Sequence, residues 1–246
     1  MTFTIHSESL IDVWAAGAHH IVTKPMEGLM IVLSAGTGWT PSSANLRKLD
    51  DKARTFGFET PSSVAEMLLP QTCMKSGFTA LDSIQRGASL LGAGRRRGLT
   101  YSNWAHTYFE RMIGSWCDKA GRIETFRDNK LALVIAKLNA WPNRPKAALY
   151  IHTALDHEGF RTRGGPCLQY IQFRVHGARE LEIIGVYRAH DYGNKALGNL
   201  VGLDRLGRFV ASHTGHSLSG VSVVSLHPMR EQITKLGQFI ENVGQG

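Results

Sequence analysis

Cysteine is scarce in this chain. Only Cys73, Cys117 and Cys167 occur among 246 residues. Three thiols cannot all pair within one chain, and their wide spacing carries no zinc signature. A disulfide-stapled scaffold is therefore a poor fit, and a reducing cytoplasm is the simplest expected setting. Apolar runs are also short. None reaches the roughly 18 residues that a membrane-spanning helix needs, so no membrane span is expected. Residues 1–11 lack the basic start and apolar stretch of a secretory signal. No Pro-, Ser- or Gly-rich linker divides the chain, and no repeat or low-complexity tract is present. One domain over residues 1–246 is expected. Gly36-Thr37-Gly38 follows an apolar run but lacks the Gly-Lys-Ser/Thr ending of a phosphate-binding P-loop.

What is present in excess is positive charge. The formal net charge is +8, in a composition with 43% hydrophobic and 20% charged residues, which is ordinary for a soluble globular protein. Such a balance suits anionic partners such as nucleotide phosphates or nucleic acid. Arg95-Arg96-Arg97 is the densest basic cluster, a candidate phosphate grip or a solvated loop. The aromatics are not interleaved with basic residues as a base-stacking platform requires. Nucleic-acid binding therefore stands as the secondary alternative.

Periodicity predicts a mixed α/β or α+β chain. Leu29 to Leu33 reads as a buried strand. Residues 62–69 suit a short helix capped by Ser62 or Ser63. Residues 85–101, rich in Gly and Arg, read as a mobile loop. Residues 128–139 predict an amphipathic helix with Leu131, Val134, Ile135 and Leu138 on one face, stopped by Trp141-Pro142-Asn143-Arg144-Pro145. Residues 147–152 read as a strand. Residues 168–176 alternate, with Ile171, Phe173 and Val175 facing one way and Tyr170, Gln172 and Arg174 the other. Another strand is expected at 181–187, then a helix through Leu197, Leu200, Val201, Leu206, Phe209 and Val210. A strand at 221–226 and a helix from Ile233 to Val243 close the chain. Adjacent antiparallel strands are expected in the second half.

Gly165-Pro166-Cys167-Leu168-Gln169-Tyr170-Ile171-Gln172-Phe173 resembles the nucleophile segment of the thymidylate synthase and pyrimidine nucleotide hydroxymethylase family: Pro-Cys, four residues, then Gln-Phe. Downstream, Arg188, Asp191 and Asn199 stand at the family's offsets of three and then eight positions. His227-Pro228-Met229 corresponds to its His-X-Tyr element, with Met229 in place of the Tyr. Upstream, Val64-Ala65-Glu66-Met67-Leu68-Leu69 is similar to a helix that carries a Glu. Asn143-Arg144-Pro145-Lys146 echoes its Ser-Arg-Arg. The likeness runs in order from about residue 128 to 227. Residues 1–120 are divergent, and 121–246 carry the matching motifs.

The resemblance implies a mixed sheet flanked by helices, with one sheet face buried in a homodimer. It implies 5,10-methylenetetrahydrofolate as the one-carbon donor and a pyrimidine nucleoside monophosphate, dUMP first, as substrate. Cys167 would be the nucleophile that adds to C6 and makes C5 enolate-like. A free thiol near pKa 8.5 is only about 3% ionised at pH 7, so cations such as Arg188 would have to raise that fraction. Arg188, Arg144 and Lys146 would grip the phosphate. Ala189 replaces a Ser that usually adds a hydroxyl there. Asn199 would read the base, and its amide suits uracil by donating to O4 and accepting from N3–H. Gln172 belongs to the nucleophile motif, and His227 would contact the sugar. Glu66 would be the general acid/base, with Glu110 in Tyr108-Phe109-Glu110-Arg111 as rival or as a partner of Arg111. Asp191 would contact folate and handle protons. From the residues alone, Cys167 also suits a small buried position at a strand start, and Asp191 a helix cap. The product could be methyl or hydroxymethyl, and a member that binds nucleotide without turnover is a further alternative.

Overall fold

The computed structural model of the chain describes residues 1–24, 28–39, 42–99, 106–142, 149–155, 165–177 and 179–243. The first unit is β1 (Thr2–Ser9), α1 (Leu10–Thr23) and β2 (Met30–Trp39), a crossover that places β1 parallel to β2. Ser9 ends the strand and caps the helix, its Oγ accepting from the Asp12 amide at 3.2 Å. Then come α2 (Ser43–Thr55), α3 (Pro61–Leu68), a 3-10 turn (Gln71–Met74), α4 (Ala80–Arg96) and α5 (Tyr108–Ile113). A small hairpin, β3 (Ser115–Cys117) and β4 (Ile123–Thr125), leads to α6 (Lys130–Ala140). The second half is β5 (Leu149–His152), β6 (Leu168–His176), β7 (Glu180–Tyr187), β8 (His190–Asp191), α7 (Ala196–Thr214), β9 (Ser217–Ser225), β10 (Pro228–Met229) and α8 (Ile233–Val243).

Six strands form an open mixed sheet in the order β1-β2-β9-β7-β6-β5. β7 and β9 run parallel, while β5, β6 and β7 are successive antiparallel neighbours. Side chains alternate across the sheet. Leu181, Ile183 and Tyr187 of β7 and Ile171, Phe173 and Val175 of β6 are buried in the core. Helix α7 packs on this face, and its residues are buried almost all round. The opposite face carries cross-strand rows. Val32, Val224, Val186, Tyr170 and His152 form one, and Ser34, Ser222, Ile184, Gln172 and Tyr150 the next. These residues are half-buried or exposed, Ser222 excepted. Helices therefore cover the sheet on one side. Among the described residues, no helix is long and apolar enough to cross a membrane.

The predicted strands of the second half and helices α6, α7 and α8 appear at their expected places, with Leu131, Val134, Ile135 and Leu138 all buried on α6. Two expectations need correction. The cap of α3 is Thr60, whose Oγ1 accepts from the Ser63 amide at 3.2 Å, not Ser62 or Ser63. Most of the loop expected at residues 85–101 is helix instead: residues 85–96 belong to α4. Its glycines permit close packing. A Cβ on Gly87 would lie 2.5 Å from Cys73 Sγ, and one on Gly92 would lie 2.3 Å from Cys117 Sγ. The helix gives up propensity at these positions and gains contact with neighbours that larger residues would push away.

Candidate active site

Cys167 sits on the turn that enters β6, half-buried. Its position is set from two sides. Its own N–H and that of Leu168 both donate to the Tyr108 hydroxyl, at 3.1 and 3.2 Å. Its carbonyl accepts from the Arg188 amide at 2.8 Å. The Arg188 side chain also clamps the turn, Nε donating to Pro166 O and Nη2 to Gly165 O, each at 3.2 Å.

Tyr108 is the first residue of α5 and is held by that helix's N-terminus. Thr107 and Glu110 form a capping box: Glu110 Oε2 accepts from the Thr107 amide at 2.8 Å, and Thr107 Oγ1 accepts from the Glu110 amide at 3.3 Å. Glu110 is fully buried. Its charge is met by Arg95 of α4 as a two-pronged pair, Nη1 on Oε1 and Nη2 on Oε2. Arg95 also donates to Cys117 O at 3.0 Å. Glu110 thus pairs with Arg95 rather than Arg111, and Arg95 is built into the interior.

In front of Cys167 lies a cavity of about 260 Å³, walled by Tyr108, Arg111, Cys167, His190, Asp191, Lys195, Asn199, Met67 and Met229 among others. The strand pair β8 and β10 forms one side, with Met229 opposite Asp191. Asp191 organises the turn into α7. Its Oδ1 accepts from the Gly193 and Asn194 amides at 3.0 and 3.1 Å, and Oδ2 from Asn194 Nδ2 at 2.8 Å. Asn199, one turn into α7, reaches back to His190, Nδ2 to Nε2 at 3.1 Å. Lys195 pairs with Glu59 at the cavity wall.

Burial dominates the titration of this site. It pushes the Cys167 thiol above its ordinary value; Arg188 and Lys195 pull the other way and Asp191 pushes further up. The positive neighbours expected to ionise this thiol are present, yet desolvation outweighs them. Burial and the adjacent Cys167 raise the Tyr108 phenol to about 12, so it stays a hydrogen-bonding hydroxyl. Burial lowers His190 to about 3, which keeps its ring neutral. Cys73 is driven up to about 12, mainly by burial, and is no competing nucleophile.

Of the residues singled out by sequence, Cys167, Asp191 and Asn199 share the cavity wall. Arg188 is not among the lining residues and instead grips the Gly165-Pro166 turn. Glu66 does not reach Cys167: its Oε1 pairs with Arg205 Nη1 at 2.7 Å, and its carboxylate accepts from the Gln71 amide. Gln172 lies on the sheet face away from the core. The His227 side chain is exposed and absent from the cavity wall, while its carbonyl accepts from the His190 amide at 3.0 Å. Arg144 and Lys146 lie outside the described residues. Sequence reasoning passed over Tyr108, His190 and Lys195. The Thr107-x-x-Glu110 capping signature was legible and would have marked Tyr108 as a helix start. His190 lies inside the Arg188-to-Asp191 spacing that was already in view.

A scan against protein-family models finds none that matches the chain, and a search of curated proteins finds no match.

The raised thiol sets a pH response. The reactive form is the thiolate, so alkylation of Cys167 by iodoacetamide, followed by peptide mass spectrometry, should accelerate about tenfold per pH unit. It should still be climbing beyond the ordinary thiol pKa of about 8.5. A plateau near neutral pH would show instead that the cations win.

Proposed function

We propose that this chain transfers a one-carbon unit from a folate to C5 of a pyrimidine nucleoside monophosphate, dUMP in the first place, through a covalent bond between Cys167 Sγ and C6. The observation that carries the reading is the convergence of Cys167, Asp191 and Asn199 on one cavity. All three are residues that the resemblance of the sequence to the thymidylate synthase and hydroxymethylase family had marked.

Each wall residue has a task in that reaction. Cys167 Sγ adds to C6, and electron density moves to C5 and O4. An N–H of Asn199 donates to O4, where charge develops, and its Oδ1 accepts from N3–H. Lys195 and Arg188 lower the cost of the thiolate that burial opposes. Tyr108 fixes the nucleophile by accepting from its backbone, which leaves the phenolic hydrogen free to donate.

The wall also fits a reduced pterin. Met67 and Met229 offer polarisable apolar surface. Among the described residues Asp191 Oδ2 accepts one side-chain hydrogen bond, from Asn194, and a carboxylate oxygen can accept a second, from a ring N–H. Bound 5,10-methylenetetrahydrofolate would supply the carbon. Whether the product is methyl or hydroxymethyl depends on how well water is excluded.

The sheet face that no described helix covers belongs to the same proposal. Its rows of Val32, Val224, Val186 and Tyr170 would be buried against a second copy, making a homodimer. A second reading, a member of the same family that binds nucleotide without turning it over, is favoured by the elevated Cys167 thiol and by the pairing of Glu66 with Arg205.

Two measurements test the proposal. Cys167→Ala should cost several powers of ten in turnover of dUMP with methylenetetrahydrofolate, at about 1.4 kcal/mol each, while Cys73→Ala and Cys117→Ala remain active. Near-normal turnover in Cys167→Ala would end the covalent mechanism. Sedimentation at micromolar concentration should give twice the 27.1 kDa chain mass, and a stable monomer would contradict the sheet-face dimer.

A further inference from the structure

Asn199 can read a base only if its amide is held in one orientation. A flipped amide exchanges acceptor for donor and with it uracil for cytosine. The groups that hold it lie behind the cavity, in a line of buried side chains. Asn199 Nδ2 meets His190 Nε2 at 3.1 Å. His190 Nδ1 meets Ser225 Oγ at 2.8 Å. Ser225 Oγ meets Tyr192 Oη at 3.2 Å. Asn199 is 4% exposed, His190 1% and Ser225 0%, so water does not readily substitute for any link.

A neutral imidazole carries one N–H and one bare nitrogen. With Asn199 Nδ2 facing it, Nε2 is the nitrogen that must be bare. In that tautomer the proton sits on Nδ1 and is donated to Ser225 Oγ, which can pass its own hydrogen to Tyr192. The His190 ring is also stacked on Tyr187, with centroids 4.1 Å apart and planes 4° from parallel, which opposes its rotation. Burial keeps the ring neutral through the physiological range.

From this geometry we infer that His190 and Ser225 are positioning residues that lock the Asn199 amide and so fix the base preference of the site. With Nδ2 turned to His190, Asn199 offers its Oδ1 and its second N–H to the ligand. Oδ1 accepts no hydrogen bond among the described residues. An acceptor beside a donor matches the N3–H and O4 of uracil. Turning the amide would set Oδ1 against the bare Nε2, two acceptors in contact at a buried site. A wrong pairing of this kind costs about 1–3 kcal/mol, roughly tenfold to a hundredfold in affinity. Reversing the amide at no cost requires the proton to move to Nε2 and the Ser225 hydroxyl to turn toward Nδ1. The tautomer of His190 and the choice of base are one setting.

The inference rests on the nucleotide reading above, and two experiments separate their fates. The histidine ¹⁵N spectrum of the wild-type protein should show His190 with Nδ1 protonated and Nε2 bare, unchanged as pH falls through 6. A spectrum with Nε2 protonated overturns the lock as drawn, with no variant and no ligand needed. Calorimetric titration with dUMP and dCMP should then give a wild-type preference for dUMP of about tenfold or more. Ser225→Ala removes the acceptor for Nδ1–H and should bring that ratio close to one. Ser225→Thr keeps the hydroxyl and should restore it. A ratio unchanged in a folded Ser225→Ala protein overturns the lock. If wild type binds neither nucleotide, the nucleotide reading falls while the ring spectrum still decides how His190 is set.

Discussion

The carboxylate of Glu110 has no access to water, and the surroundings of Cys167 depend on how that charge is met. Arg95 answers it with both guanidinium nitrogens, and Thr107 adds its amide and hydroxyl. Removing one partner of such a buried pair costs about 3–5 kcal/mol, because the other charge is left without water or counter-ion. The pair joins α4 to the first turn of α5. That turn carries Tyr108, whose hydroxyl accepts from the backbone of Cys167 and Leu168. A surface-type residue cluster, Arg95-Arg96-Arg97, is thus partly an internal fastener, linked through Glu110 and Tyr108 to the backbone of Cys167.

The same economy governs the cavity. Arg188, which the resemblance would make a phosphate grip, directs its nitrogens to the carbonyls of Gly165 and Pro166. Asp191 spends three hydrogen bonds on the turn into α7. Both residues therefore also hold together the backbone around the cavity. The two roles are compatible for Asp191, because the turn it closes brings Lys195 and Asn199 to the same cavity. Burial raises the cost of a thiolate on Cys167. It also strengthens every dipole aimed at a bound ring.

The second half of the chain was largely legible because its signals are local. The alternation of residues 168–176 and the periodic apolar face of α6 each follow from one element's own burial. The first half was less so. β1 reads Thr-Phe-Thr-Ile-His-Ser-Glu-Ser, an edge strand with few apolar residues, and only its pairing with β2 makes it a strand. In α4, Gly87 and Gly92 look like loop residues until Cys73 and Cys117 are seen against them. Of the site, Cys167, Asp191 and Asn199 were marked only through the family resemblance of the segments that carry them. Tyr108 and His190 were not, since their roles lie in bonds to residues 59 positions away in one case and 35 in the other. Glu66 had the right local pattern, but Arg205 of α7, 139 positions further on, claims its carboxylate.

In the proposed reaction Cys167 activates a pyrimidine ring for one-carbon transfer. The most direct measurement is to incubate the protein with methylenetetrahydrofolate and, separately, dUMP, dCMP, UMP and CMP, and to identify the products by mass. The account predicts a methyl or hydroxymethyl group added to dUMP, with much less or none on dCMP. Unmodified nucleotide in all four reactions, from folded protein, would contradict it.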